Sequence, residues 1–258
     1  MKIENYGVGE RCREVMRLLT EWAGEGECVA NDHRVILLPI PTSRDGIHLS
    51  GSERLLREVV SEVGDGDLVV GYSIPKGETE YIRSKGAAVF DAAYDEPFLE
   101  ENAYLTAVGT LEYLLSDTRR VPSDMHIGII GYGRIGKALL RILLFLGARI
   151  RIYTSKSLTR VELGESGVES RYIDYDTPML EDTEGLDVLI NTAPTRLSGC
   201  FRGGRVPAGT RVIELASGDN FPGVEGVVRL PSIPEKNYPT SAGAAYFRAI
   251  QGYMREVF

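Results

Sequence analysis

The chain has 258 residues, 43% of them hydrophobic and 26% charged, with a formal net charge of −8. That length carries a sizeable core, in one large domain or two modest ones. The acidic balance excludes a general electrostatic pull toward nucleic acid or an anionic membrane surface. No apolar run approaches a membrane span, and Met1–Glu10 lacks a signal-peptide core. Three scattered cysteines, Cys12, Cys28 and Cys200, fit a reducing cytoplasm and no disulfide framework.

Lys2 to Tyr6 offers only a short strand candidate, so the N-terminus reads as cut down for an α/β domain. Gly9 to Trp22 is an amphipathic helix with Val15, Leu18, Leu19 and Trp22 on one face, ended by Gly24–Glu27. Arg34 to Ile40 is a buried strand running into the polar loop Pro41–Gly46. Ser52 to Val63 predicts a helix with Ser52 as N-cap. Asp67–Tyr72 and Ala87–Phe90 are strands, separated by a loop and short helix over Ile74–Lys85. This alternation predicts a small parallel, flavodoxin-like α/β domain over residues 1–100. Asn102 to Leu115, with Leu105, Val108, Leu111, Leu114 and Leu115 at helical spacing, links it to a second domain over 101–240.

The second domain is organised around His126-Ile-Gly-Ile-Ile-Gly-Tyr-Gly-Arg-Ile-Gly-Lys-Ala-Leu-Leu140. An apolar strand meets G-x-G-x-x-G, then an amphipathic helix from Ile135 to Leu146. Gly131 allows the tight turn, Gly133 lets the backbone approach a pyrophosphate, and Gly136 lets helix and strand pack closely. With Tyr132, Arg134 and Ile135 they form the expected cofactor loop, the anion sitting at the helix N-terminus. The next strand, Gly147–Tyr153, ends in Thr154, Ser155, Lys156 and Ser157, with Arg160 beyond. An NAD site usually carries an acidic residue there for the ribose 2′-hydroxyl. Hydroxyls and a cation suit a 2′-phosphate, so the cofactor reads as NADP rather than NAD.

Strands follow at Val168–Ile173, Leu186–Thr192, Gly209–Leu215 and Gly226–Leu230, completing a doubly wound Rossmann sheet. The final helix, Ala242–Val257, is expected to cross back, joining 241–258 to the first domain. Asn191, Thr192, Ala193 and Pro194 would lie beside the ribose and nicotinamide, with Ala216 in the third converging loop.

A substrate is then expected in the cleft between the domains, facing Thr42, Ser43 and Arg44 on one side and the Pro231–Gly243 loop on the other. Arg44 and Arg196 could clamp carboxylates, and Ser241 joins them as a substrate contact. Hydride transfer at a carbonyl normally wants a nearby base. No histidine lies between Leu230 and Gly243: His33 precedes a strand, His48 sits in a loop, and His126 reads as structural. The polar candidates for catalysis are Thr42, Ser43, Tyr104 and Thr240, with no single base among them. No His/Cys/Asp cluster has metal-ligand spacing.

Six stretches together resemble the family of the dipicolinate synthase A subunit. They are Leu37-Leu-Pro-Ile-Pro-Thr-Ser43, Thr106-Ala-Val-Gly-Thr-Leu-Glu112, Ile129-Ile-Gly-Tyr-Gly-Arg-Ile-Gly136, Asn191-Thr-Ala-Pro194, Glu214-Leu-Ala-Ser217 and Pro239-Thr-Ser-Ala-Gly243. The family is similar in architecture to D-2-hydroxyacid dehydrogenases and S-adenosylhomocysteine hydrolase. The resemblance implies a cytoplasmic, NADP-dependent oxidoreductase of sporulation, oxidising a dihydrodipicolinate-type dicarboxylate to dipicolinate together with a flavoprotein-like second subunit. The assembly is expected to be a homo-oligomer. The alternatives are a noncatalytic NADP-binding partner subunit and a D-2-hydroxyacid-dehydrogenase-like reductase. The chain departs from the family in its short N-terminus, in Ala103-Tyr104-Leu105, and in Thr240, where the family carries a lysine.

Overall fold

The structure, a computed structural model, describes residues 1–25, 33–201 and 205–258. Cys28 and the Gly26–Glu27 end of the expected helix stop lie outside these. The chain divides into two compact units, Met1–Asn102 with Pro234–Phe258, and Ala103–Ile233.

In chain order, β1 (Lys2–Asn5), α1 (Glu10–Gly24), β2 (Arg34–Leu37), α2 (Leu56–Ser61), β3 (Leu68–Gly71), α3 (Lys76–Ser84) and β4 (Ala88–Asp91) build the first unit. Its four strands are parallel and lie in chain order. Successive side chains of a strand point to opposite faces. Val35, Leu37, Leu68 and Val70 therefore pack with α1 on one face, and Ile36, Val69 and Val89 pack with α2 and α3 on the other.

The N-terminus differs from the sequence expectation. Lys2–Asn5 pairs residue by residue with Arg34–Leu37, so the opening strand is formed. Three of its four side chains are polar, as suits the edge of a sheet, and this hides it among apolar runs. A strand–turn–helix follows, with Gly9 at the N-cap of α1 with φ 91°. A Cβ on Gly7 would lie 2.5 Å from Cys12 Sγ.

Two helix starts also differ from expectation. Ser52 does not cap α2, which begins at Leu56. The Ser52 hydroxyl instead accepts from Arg54 N at 3.1 Å, inside a small hairpin closed by Leu49 N to Arg54 O and Leu56 N to Ile47 O, both 2.9 Å. The linking helix, α4 (Glu96–Thr118), begins earlier than predicted. Asp95 Oδ1 accepts from Phe98 N at 2.8 Å, a side-chain cap followed by Pro97 in the first turn, where its missing N–H costs nothing.

The second unit holds β5 (His126–Ile130), α5 (Arg134–Phe145), β6 (Arg149–Thr154), α6 (Ser157–Glu165), β7 (Glu169–Tyr172), β8 (Val188–Asn191), β9 (Arg211–Glu214) and β10 (Val227–Arg229). All six strands are parallel, in the order β10-β9-β8-β5-β6-β7. The order reverses between β5 and β8, the switch point at whose carboxyl edge doubly wound sheets bind ligands. Leu139, Leu140 and Leu143 of α5 pack with Ile127, Ile129, Ile150 and Ile152 on one face. Two helices end the chain, α7 (Ile233–Asn237) and α8 (Pro239–Val257). No helix among the described residues is long and apolar enough to cross a membrane.

Candidate functional site

The switch point of the six-stranded sheet carries the glycine loop. Gly131 leaves β5 at φ 92°, and a Cβ there would meet Thr192 Oγ1 at 2.7 Å. A Cβ on Gly136 would lie 2.4 Å from Gly131 O, so only glycine lets α5 start this close to the strand end. Gly133 differs from both. It is the N-cap of α5, no side chain caps it, and beyond its two chain neighbours no atom lies within 4 Å of its Cβ position. Open space therefore faces the amino end of α5, where backbone N–H groups and the helix dipole favour an anion. These residues fit the pyrophosphate of a dinucleotide. Tyr132 lies under Lys137, Nζ 5.5 Å from the ring centroid, and Ile135 packs on the core.

The neighbouring loops converge on the same edge. Thr192 Oγ1 donates to Ile130 O at 2.9 Å, tying β8 to the glycine turn. Asn191 is fully buried, and its Nδ2 donates to Ala193 O at 2.9 Å and to Glu214 Oε1 at 3.0 Å. Its Oδ1 accepts from Ala193 N at 3.0 Å, and Ala216 N donates to Glu214 Oε1 at 2.9 Å. Pro194 is exposed. The sequence-predicted residues Asn191, Ala193 and Ala216 are thus joined through Glu214, which is not among the residues predicted from the sequence. Glu214 is only 3% exposed, and burial pushes its carboxyl above the ordinary glutamate value. Its signals in the sequence are an acid ending the apolar strand Val212-Ile213 and its place in the Glu214–Ser217 stretch of the family resemblance.

At the end of β6, Thr154 is buried and its Oγ1 accepts from Lys156 N at 3.3 Å. Ser155, Lys156 and Ser157 are exposed, and the Arg160 Nε is buried without a hydrogen bond. Hydroxyls and cations are presented here, and residues 154–160 contain no carboxylate.

The catalytic candidates fall in both units. Thr42 is fully buried, its Oγ1 accepting from Tyr72 N at 3.0 Å. The hydroxyl is thus engaged inside the first unit. Ser43 Oγ accepts from Gly46 N at 2.9 Å and donates to Asp45 Oδ1 at 3.0 Å. Arg44 is exposed and makes no ion pair among the described residues. The same loop brings His48 Nδ1 to Asp45 Oδ2 at 2.7 Å, a pair that is not among the sequence-predicted catalytic residues. Thr240 and Ser241 are exposed in the first turn of α8. Tyr104 is 56% exposed on α4, and Arg196 is exposed on the turn after β8. His126 is held at the start of β5, its ring 3.8 Å from Glu169. Burial raises the Cys12 thiol to about 11 and the Cys200 thiol to about 12, so both are inert. No group of three potential metal ligands occurs among the described residues.

Fold and glycine loop together define a two-unit α/β protein with the dinucleotide-type sheet of NAD(P)-linked dehydrogenases. Among solved structures, the chain is similar to the A subunit of dipicolinate synthase from Bacillus halodurans, at 18% identity over 98% of this chain and 96% of that one, with a TM-score of 0.74. It is similar also to the corresponding chain of dipicolinate synthase from Bacillus subtilis, at 19% identity over 99% and 96%, with a TM-score of 0.73. A transhydrogenase from Sinorhizobium meliloti follows at 15% identity over 87% and 74%, with a TM-score of 0.57. No protein-family model and no curated protein sequence matches the chain.

Proposed function

We propose that the chain is an NADP-dependent oxidoreductase like the dipicolinate synthase A subunit, oxidising a dihydrodipicolinate-type dicarboxylate to dipicolinate. The observation that carries this reading is the extent of the likeness. The two dipicolinate synthase structures are covered almost end to end at TM-scores of 0.74 and 0.73, whereas an L-alanine dehydrogenase reaches 0.51. The six sequence stretches support the same reading from other residues.

In this reading the glycine loop holds the pyrophosphate, and Asn191–Pro194 and Ala216 flank the nicotinamide half. Lys156 with Ser155 and Ser157 receives the 2′-phosphate. NADP, when bound, accepts a hydride at the nicotinamide. Arg196, on the turn after β8, is the contact for a carboxylate of the substrate, and the chain works in the cytoplasm, as a homo-oligomer, with a flavoprotein-like second subunit. Thr240, standing where the family carries a lysine, favours a second reading, a noncatalytic NADP-binding partner subunit.

The deciding experiment supplies the fresh product of dihydrodipicolinate synthase with NADP, with and without the second subunit, and follows dipicolinate by its ultraviolet absorbance. Dipicolinate and NADPH formed together support the oxidoreductase. Cofactor binding without turnover in either condition supports the noncatalytic role.

A further inference from the structure

We propose that the buried carboxyl of Glu214 sets which redox form of the cofactor the second unit holds more tightly, adding a negative charge to the nicotinamide end of the site when ionised and none when protonated. This rests on the dinucleotide reading above and deepens it by naming what regulates the same site.

Glu214 is the last residue of β9, at the carboxyl edge of the six-stranded sheet. β8 lies between β9 and β5, so Glu214 stands two strands from the glycine turn. The parallel register sets it opposite Asn191. Its Oε1 accepts from Asn191 Nδ2 at 3.0 Å and from Ala216 N at 2.9 Å. Asn191 opens one of the loops assigned above to the nicotinamide half, and Ala216 belongs to the other. A charge on this carboxyl therefore falls at the nicotinamide end of the site, away from the pyrophosphate. Glu214 acts without touching the ring. At 3% exposure little water screens it, and a charge in such surroundings is felt across several ångströms.

The carboxyl is set to change its charge. Oε2 is buried with no hydrogen bond among the described residues, so the ionised form is left half-satisfied. Burial accordingly pushes the carboxyl above the ordinary glutamate value, while Asn191, Ala216 N, Asn220 and Arg229 pull it down. β8 faces it with the neutral amide of Asn191, and the loop after β9 with the neutral side chain of Asn220. β10 supplies a cation, Arg229, which is already paired with Asp219 of that loop. An ionised Glu214 is thus short of a positive partner.

The two redox forms of the cofactor differ in this respect. The oxidised nicotinamide ring carries a positive charge and the reduced ring carries none, while the phosphates are common to both. Ionised Glu214 favours the oxidised ring, and protonated Glu214 does not discriminate by charge. The coupling is reciprocal, so an oxidised ring in place keeps Glu214 ionised at a pH where the empty site keeps its proton. Affinity for NADP⁺ then rises as pH climbs through the raised value of Glu214, and affinity for NADPH does not. Once the ring has gained a hydride and lost its positive charge, Glu214 takes a proton back from water.

Calorimetric titration of the full chain with NADP⁺ and with NADPH, at a series of pH values from the ordinary glutamate range upward, tests this. Affinity for NADP⁺ should gain about tenfold, the equivalent of one pKa unit, and affinity for NADPH less than about threefold. The 2′-phosphate is present in both forms, so the difference between the two profiles isolates the ring. Glu214→Gln keeps an acceptor for Asn191 and Ala216 but cannot ionise, and its two profiles should run parallel. Arg229→Gln, an exposed change, removes a cation that favours the ionised carboxyl and should move the divergence to higher pH. Parallel profiles in the parent chain overturn the proposal and leave the dinucleotide site standing. A divergence that persists in folded Glu214→Gln, or that ignores Arg229→Gln, also overturns it, since another group then carries the charge. Binding of neither form at any pH overturns the dinucleotide reading and this inference with it.

Discussion

Glu214 Oε1 accepts the side-chain amide of Asn191 at 3.0 Å, at the position where β8 and β9 pair these two residues in register. The same oxygen accepts Ala216 N, while Oε2 is buried without a hydrogen bond. One carboxyl thus shapes two of the three loops at the switch point.

Its titration should be visible in stability. The folded chain keeps the Glu214 proton at pH values where the unfolded chain has lost it. Its contribution is fully present below the ordinary glutamate value and is lost as pH rises through the raised one. Urea unfolding across that window should show stability falling with pH in the parent and a flatter profile in Glu214→Gln. Glu214→Ala leaves Asn191 Nδ2 and Ala216 N short of an acceptor and should cost roughly 2–4 kcal/mol. Equal pH slopes for parent and Glu214→Gln would show that the carboxyl titrates normally.

The glycines of the loop should separate binding from folding. Gly133→Val places its side chain in open space at an ordinary φ of −84°, so the melting temperature should move by no more than about 2 °C. The side chain would fill the pyrophosphate's place, so dinucleotide affinity should fall about 100-fold or more, roughly 2.7 kcal/mol. Gly136→Val meets backbone at 2.4 Å and should lower stability by roughly 3 kcal/mol. Circular dichroism and calorimetry on both variants check this. Normal binding by folded Gly133→Val would place the cofactor elsewhere.

Much of the fold is legible in the sequence because its carriers are local. The glycine spacing, the apolar strand before it and the amphipathic helix after it lie within His126–Leu146, and the structure places all three there. Lys2–Asn5 is hard to read because an edge strand carries polar side chains, and Ser52 misleads because a hairpin uses the same residue types as a helix cap. The site is harder. Glu214 gains its character from burial beside Asn191, 23 residues away in the chain.

Calorimetric titration of the intact chain with NADPH and NADH tests the proposed NADP site most directly, with Lys156→Asp as the companion variant. NADPH should bind more tightly, by about tenfold or 1.4 kcal/mol, because Ser155, Lys156 and Ser157 are exposed at the end of β6 with no carboxylate. Lys156→Asp should move the preference toward NADH. Equal affinities, or tighter NADH in the parent chain, would contradict an NADP site.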